Sequence, residues 1–178
     1  MLITDAQRDV RRVYVGGFFG QLVSGVLWLA AAAAGTWISP AAGIVTLLAG
    51  GVLIFPLTTL ALLIAGGPTA LPAGHPMAGL AMQIAFTVPL GLLVAVAAAG
   101  YRLDWFFPAS MVIVGAHYLP FVFLYGMRMF AVLAGLMVFA GITLALWIPV
   151  PFPSGGWLTG FLLVLFAFLL RASAHATE

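Results

Sequence analysis

The chain has 178 residues, of which 65% are hydrophobic and only 6% are charged, and its mean hydropathy is +1.24. A soluble domain typically carries about 25% charged residues, so this composition excludes a soluble globular protein. Six arginines against four acidic residues do not make the basic patch that a nucleic-acid partner requires. The absence of cysteine excludes disulfides, thiolate catalysis and cysteine-ligated metal or iron–sulfur sites.

The N-terminal residues carry the start signals of a helix. Thr4-Asp5-Ala6-Gln7 has the pattern of a capping box, with Thr4 as N-cap and Gln7 at N3. The basic start and the Ala30–Ala34 run imitate a signal peptide with its cleavage site. The apolar part is longer than a typical signal-peptide core, and Gln21 interrupts it. We therefore expect this segment to stay in the protein as its first membrane helix.

Six apolar segments follow one another, and each is long enough to cross a bilayer, which takes about 20 helical residues. They predict an all-α fold, a polytopic membrane protein built as a six-helix transmembrane bundle. The whole chain, residues 1–178, is predicted to form a single transmembrane domain. The predicted helices cover residues 13–37, 41–65, 77–99, 105–126, 129–147 and 154–170.

Arginine placement sets the expected orientation, because the cytoplasmic loops of membrane proteins carry an excess of Lys and Arg. With a cytoplasmic N-terminus, five of the six arginines lie inside and only Arg102 lies outside. Four tryptophans then fall at the outer interface, where indole rings anchor: Trp37, Trp105, Trp147 and Trp157. Both termini are therefore predicted to be cytoplasmic, in a multi-pass protein of the bacterial inner membrane.

A polar layer is predicted in the cytoplasmic half of the first four helices. At about 1.5 Å per residue, Gln21 and His117 lie roughly 12–13 Å from the inner ends of their helices, and Gln83 lies about 9 Å along the third. Tyr118 falls in the same slab. We expect Gln21, Gln83 and His117 to be buried from lipid and mutually close. The fifth and sixth helices lack polar residues at this depth, so we expect them to be scaffold or lipid-facing.

His117 is the most informative of these residues, because an ionisable side chain inside a span is a functional-site hypothesis by default. It could carry a proton, hydrogen-bond a small molecule, ligate a haem or a metal ion, or only fix helix packing. A single histidine makes a poor metal site, since zinc takes about four ligands and no carboxylate lies inside a span. We therefore predict no metal and no cofactor. Pro120 should bend the fourth helix beside His117, because it cannot bond the Ala116 carbonyl.

Small residues in the first helix form a predicted packing surface that contains a Gly16-x-x-x-Gly20 motif and continues to Ser24 and Gly25. Such surfaces let helix backbones approach closely, either within the chain or between two copies. We expect the surface to pack within the chain, and a homo-oligomer is the alternative.

A weak internal repeat is a further hypothesis, since the flanking helices do not align. Gly51–Leu63 aligns with Gly135–Trp147, so the second and fifth helices would correspond. Three spans in each half would make such a repeat inverted, as in many transporters.

The fragments Gly17–Gly25 and Gly115–Phe121 resemble those of an uncharacterised bacterial family of small integral membrane proteins. The resemblance covers most of the chain and implies a six-span bacterial membrane protein. It supplies no activity, substrate or catalytic residue.

The favoured function is a permease-like or ligand-binding bundle with a cytoplasm-facing polar cavity lined by Gln21, Gln83, His117 and Tyr118. The scarcity of charge favours a neutral, weakly basic or amphiphilic ligand over an ion. One alternative is a non-catalytic accessory or structural subunit surrounded by membrane lipid. The other is a membrane enzyme that acts on lipid or quinone through His117. The sequence contains no standard catalytic motif, so no catalytic residue is predicted and an enzyme is disfavoured.

Overall fold

The computed structural model describes residues 1–176, and describes side chains as far as Ala174. Glu178, the end of the predicted domain, lies outside the described residues. The described part contains α-helices and short 3-10 turns but no strand. Its helices are α1 (Ile3–Val13), α2 (Phe18–Trp37), α3 (Pro40–Ile64), α4 (Ala78–Tyr101), α5 (Phe106–His117), α6 (Leu119–Tyr125), α7 (Met129–Leu146) and α8 (Ser154–Ala176).

Six segments are long and apolar enough to cross a membrane, and they confirm the predicted all-α, six-span class. The first span joins a 3-10 turn to α2, and the fourth joins a 3-10 turn to α5 and α6. The spans are Val15–Trp37, Pro40–Ile64, Ala78–Tyr101, Leu103–Tyr125, Met129–Leu146 and Ser154–Ala174.

The helix α1 is separate from the first span rather than continuous with it. Val15, Gly16 and Gly17 have φ angles of +50°, +63° and +88°, a left-handed backbone that redirects the chain into α2. Glycine adopts such angles at little cost, whereas the β-branched Val15 is strained there. A Cβ on Gly16 would also lie 2.7 Å from the Cβ of Ala174, so the turn and its contact with α8 both require glycine.

The capping-box prediction is wrong. The helix α1 begins at Ile3 after Leu2, and no side chain caps it. Gln7 has a different partner, because its Nε2 donates to the Phe123 carbonyl at 2.6 Å. The side chain that was expected to close the first turn of α1 instead joins α1 to α6.

A second contact joins α1 to the end of the fourth span. Arg11 is buried, and its Nη1 donates to the Tyr125 carbonyl at 2.6 Å. The helix α6 ends at Tyr125, and the last carbonyls of a helix lack intrahelical donors. The positive guanidinium also complements the negative end of the helix dipole. Arg11 therefore acts as a C-terminal cap for α6, supplied from the other end of the chain.

The loop between α3 and α4 packs over α1. His75 is buried there, its Nδ1 accepts from the Met77 amide at 3.2 Å, and its Nε2 faces Asp9 Oδ2 at 3.6 Å. Burial raises the pKa of the Tyr14 phenol, and a hydrogen bond with the Leu71 backbone partly offsets that rise. Asp9 thus faces the loop, so the loop and α1 form one layer over this end of the bundle.

The spans pack in two groups of three. The helix α2 packs closely against α3 and α8, and α5 packs closely against α7 and α4. Between the groups, α8 meets α7 and α5, whereas α3 has few contacts with α4. Glycines mark the close approaches. A Cβ on Gly25 would lie 2.8 Å from Val164 of α8, and one on Gly141 would lie 2.7 Å from the Pro108 carbonyl oxygen of α5.

The sixth span, which was expected to be scaffold or lipid-facing, is not a lipid-facing helix at the edge of the bundle. Its residues Thr159, Leu163 and Leu170 are fully buried, and α2 lies against its glycines. The most exposed spans are α3 and α4. In each of them only 17% of an 18-residue apolar stretch is buried. Polar content was a poor guide to position, because α8 packs through apolar and small residues.

The Gly16-x-x-x-Gly20 motif is not a helix-packing motif in this fold. Gly16 lies in the turn before α2, and a Cβ built on Gly20 would have no described atom of another helix within 4 Å. Gly25, from the same predicted surface, makes the close approach to α8 instead.

The internal repeat stays a prediction, and the packing pattern is compatible with it. If spans one, two and three correspond to spans four, five and six, the contacts of α2 with α3 and α8 correspond to those of α5 with α7 and α4. The first and fourth spans are both 23 residues long, and both begin with a three-residue 3-10 turn.

Candidate functional site

Gln21 and Tyr118 lie together in the interior of the bundle. They are 3% and 5% exposed, on α2 and at the junction of α5 and α6. The phenol of Tyr118 lies within hydrogen-bonding reach of the Gln21 and Ser24 side chains. Gln21 Oε1 has no hydrogen-bond partner among the described residues. Two of the four predicted site residues are therefore neighbours, with one buried acceptor to spare.

His117 lies on a different face of α5, because adjacent residues in a helix project about 100° apart. It is half-buried, and its Nδ1 lies 2.9 Å from Oγ1 of Thr87 on α4. The Thr87 hydroxyl also donates to the Ile84 carbonyl of its own helix, at 2.7 Å. His117 thus joins α5 to α4, and it does not join Gln21.

The expectation that Gln83 is buried beside Gln21 is not met, because Gln83 is exposed on α4. It precedes Thr87 by one helical turn, so the two residues share a face. Gln83, Thr87 and His117 therefore form a continuous polar surface, here called the α4–α5 strip. The strip faces outward, since Gln83 and Thr87 are exposed and His117 is only half-buried.

Sequence reasoning missed Thr87 as a member of the site. The spacing of four residues between Gln83 and Thr87 was the available signal, since residues i and i+4 are neighbours on a helix surface. Because the other residues of α4 are apolar on every face of the helix, the sequence did not indicate which face meets α5.

Aromatic rings lie between the strip and the interior pair. The ring of His117 lies 4.9 Å from that of Phe121 and 5.5 Å from that of Tyr118, measured between centroids. Phe121 packs in turn against Phe130 of α7 at 5.3 Å. The chain changes from α5 to α6 at Tyr118, as expected from Pro120, which cannot donate to the Ala116 carbonyl. The polar residues of both groups therefore surround the break in the fourth span.

Two clefts on the protein lie away from these residues. One, of about 200 Å³, is an apolar groove between α5 and α7 beside Pro108 and Gly141. The other, of about 400 Å³, lies where the turn before α5 meets the loop after α7. Arg102 and Asp104 line it as an exposed pair 3.9 Å apart. Neither cleft is the predicted polar cavity, and within the described residues no three His, Asp or Glu side chains gather as metal ligands.

Residues 3–173 match the family of unknown function (DUF7010). The chain belongs to this family. The match covers nearly the whole chain, including both polar groups, and confirms the resemblance to an uncharacterised family of membrane proteins. No curated protein and no solved structure matches the chain. Membership supplies no activity, so the role of the site is argued from its geometry.

Proposed function

We propose that this multi-pass membrane protein binds a neutral or weakly basic amphiphilic small molecule at the α4–α5 strip and acts as a small permease-like bundle. The observation that carries the proposal is the outward exposure of Gln83, Thr87 and half-buried His117 on membrane-crossing helices. Polar groups at such positions are costly against hydrocarbon and tend to mark ligand pathways. A ligand headgroup would pair with the strip while its apolar part stays in the lipid.

The position of the strip supports movement as well as binding. It adjoins the break in the fourth span, and sites in transporters are typically built at discontinuous membrane helices. On the inner side of the aromatic rings, Gln21 offers an unpartnered oxygen beside Tyr118. A headgroup that leaves His117 would find its next polar contact there. The two polar groups would then be two binding sites occupied one after the other, and not the lining of a single cavity.

We expect amphiphiles to raise the unfolding temperature of the wild-type protein in detergent, and we expect His117→Ala to abolish that rise. A ligand at 100 times its Kd stabilises the native state by about 2.7 kcal/mol, which is easily measured as a thermal shift. The control is Thr143→Val, which changes a polar residue of α7 outside the strip. This variant should keep the full ligand-induced rise in unfolding temperature. Equal shifts in wild type and His117→Ala would contradict binding at His117.

A structural or accessory subunit is the second candidate, and the Thr87–His117 hydrogen bond favours it. That bond reinforces the packing of α4 on α5, through which α4 makes most of its contacts with the protein. In this case His117→Ala should lower the free energy of unfolding by about 0.6 kcal/mol, the average interhelical hydrogen bond in a membrane. No amphiphile would then shift the unfolding temperature of either protein.

We expect both termini to face the cytoplasm and the Arg102 turn to face outward, with the protein in the inner membrane. The arginine bias motivates this orientation. The chain contains no cysteine, so a single introduced one reports its own location. In intact spheroplasts, Leu103→Cys should react with a membrane-impermeant maleimide, whereas Ile3→Cys should react only after permeabilisation. The reverse pattern of labelling would contradict the orientation.

A further inference from the structure

We infer that the ligand of the α4–α5 strip presents a neutral hydrogen-bond donor, a hydroxyl or an amide N–H, to Nε2 of His117. This inference rests on the proposed function and specifies the headgroup that the site accepts. It follows from where the single proton of the imidazole lies.

The Thr87 hydroxyl fixes the position of that proton. A hydroxyl has one hydrogen to donate, and Thr87 gives it to the Ile84 carbonyl at 2.7 Å. Oγ1 of Thr87 can therefore only accept from His117 Nδ1, which lies 2.9 Å away. This arrangement places the single proton of the neutral imidazole on Nδ1.

The other ring nitrogen is consequently an acceptor. A neutral imidazole has one N–H, so with Nδ1 protonated Nε2 carries a lone pair. No hydrogen bond from the described residues reaches Nε2, and the side chain of His117 is only half-buried. This unpaired nitrogen can form a hydrogen bond with a ligand that carries a donor. It can form none with an ether or ester oxygen, which is itself an acceptor.

The surroundings favour a neutral headgroup over a cationic one. Neither α4 nor α5 contains a carboxylate, and the neighbouring polar side chain is the neutral amide of Gln83. Phe121 lies 4.9 Å from the imidazole and gives an apolar wall against which an alkyl chain can pack. Because α3 has few contacts with α4, a molecule can approach the exposed face of α4 directly from the bilayer. A long-chain alcohol or primary amide matches all three features.

The experiment compares matched probes in which the headgroup either keeps its O–H or N–H donor or has that donor replaced by methyl groups. Thermal unfolding in detergent is measured with 1-decanol and with decyl methyl ether, and with decanamide and its N,N-dimethyl derivative. For wild type we expect the donor of each pair to bind at least ten times more tightly. Thr87→Val removes the group that fixes the tautomer, so its preference for the donor should fall to about threefold or less. Thr87→Ser keeps the hydroxyl and should restore the wild-type preference.

The outcomes separate this inference from the proposed function. If wild type binds the donor probes and their methylated counterparts equally, and the shift in unfolding temperature still depends on His117, the inference is overturned. The proposed function then stands. A full donor preference in Thr87→Val overturns the positioning role of Thr87. No shift with any probe overturns the proposed function, and the inference with it.

Discussion

Gly25→Ala should lower the free energy of unfolding by about 1–3 kcal/mol, the usual cost of overpacking a tight interior. The added Cβ would lie 2.8 Å from the Cγ2 of Val164, 3.0 Å from its amide nitrogen and 3.1 Å from the Gly160 carbonyl oxygen. Two of these three atoms belong to the backbone of α8 and cannot rotate away. The helices α2 and α8 must therefore separate. Equilibrium unfolding in mixed detergent–lipid micelles measures the change.

Gly20→Ala is the matched control, because Gly20 lies on the same helix one residue beyond a full turn from Gly25. A Cβ built on Gly20 would have no described atom of another helix within 4 Å. This substitution should raise the free energy of unfolding by up to about 1 kcal/mol, through the better helix propensity of alanine. Stabilisation by both substitutions would show that α2 and α8 are not in close contact.

Arg11→Met should cost about 1.5–3 kcal/mol of stability, the range for hydrogen bonds that involve a charged group. Arg11 is buried and donates to the Tyr125 carbonyl at 2.6 Å, so methionine would fill the space but leave that carbonyl without its donor. The loss should be specific to the layer that α1 forms over the bundle. Hydrogen exchange of the amides in α1 and α6 should therefore increase along with the loss of stability.

Arg12→Met separates this contact from a general effect of charge. Arg12 is exposed and follows Arg11 directly, so the substitution removes the same charge from the same turn of helix. A surface substitution away from special features usually changes stability by less than about 0.5 kcal/mol. Equal losses in the two variants would show that charge, and not the cap on α6, is responsible.

The number of spans could be predicted from the sequence because lipid imposes a minimum length on apolar helices. The third helix, for example, was predicted over residues 77–99 and is found at Ala78–Tyr101. The break before α2 was not predicted. It depends on a positive φ at Val15, for which a β-branched residue gives no local signal, and on two glycines that also fit a packing surface.

The sequence predicted how deep in the membrane the residues of the candidate site lie, but not which way their side chains face. Helical rise placed Gln21, Gln83 and His117 in one layer, but it did not say which face each residue occupies. Faces are hard to predict here because protein-facing and lipid-facing surfaces are both apolar, and the hydrophobic pattern therefore carries little information. The outward direction of Gln83 and the pairing of His117 with Thr87 follow from tertiary packing alone.

The contact between α2 and α8 has a consequence for biosynthesis. The first of the six spans packs against the sixth, and at roughly 5–20 residues per second the wait between their syntheses is on the order of ten seconds. During that interval α2 can form a hairpin with α3, but its face at Gly25 has no α8 to cover it. A nascent chain that stops before α8 presents this glycine-lined face to lipid or to the insertion machinery. Truncated products should therefore be recognised and degraded as orphan membrane segments, even though five spans are complete.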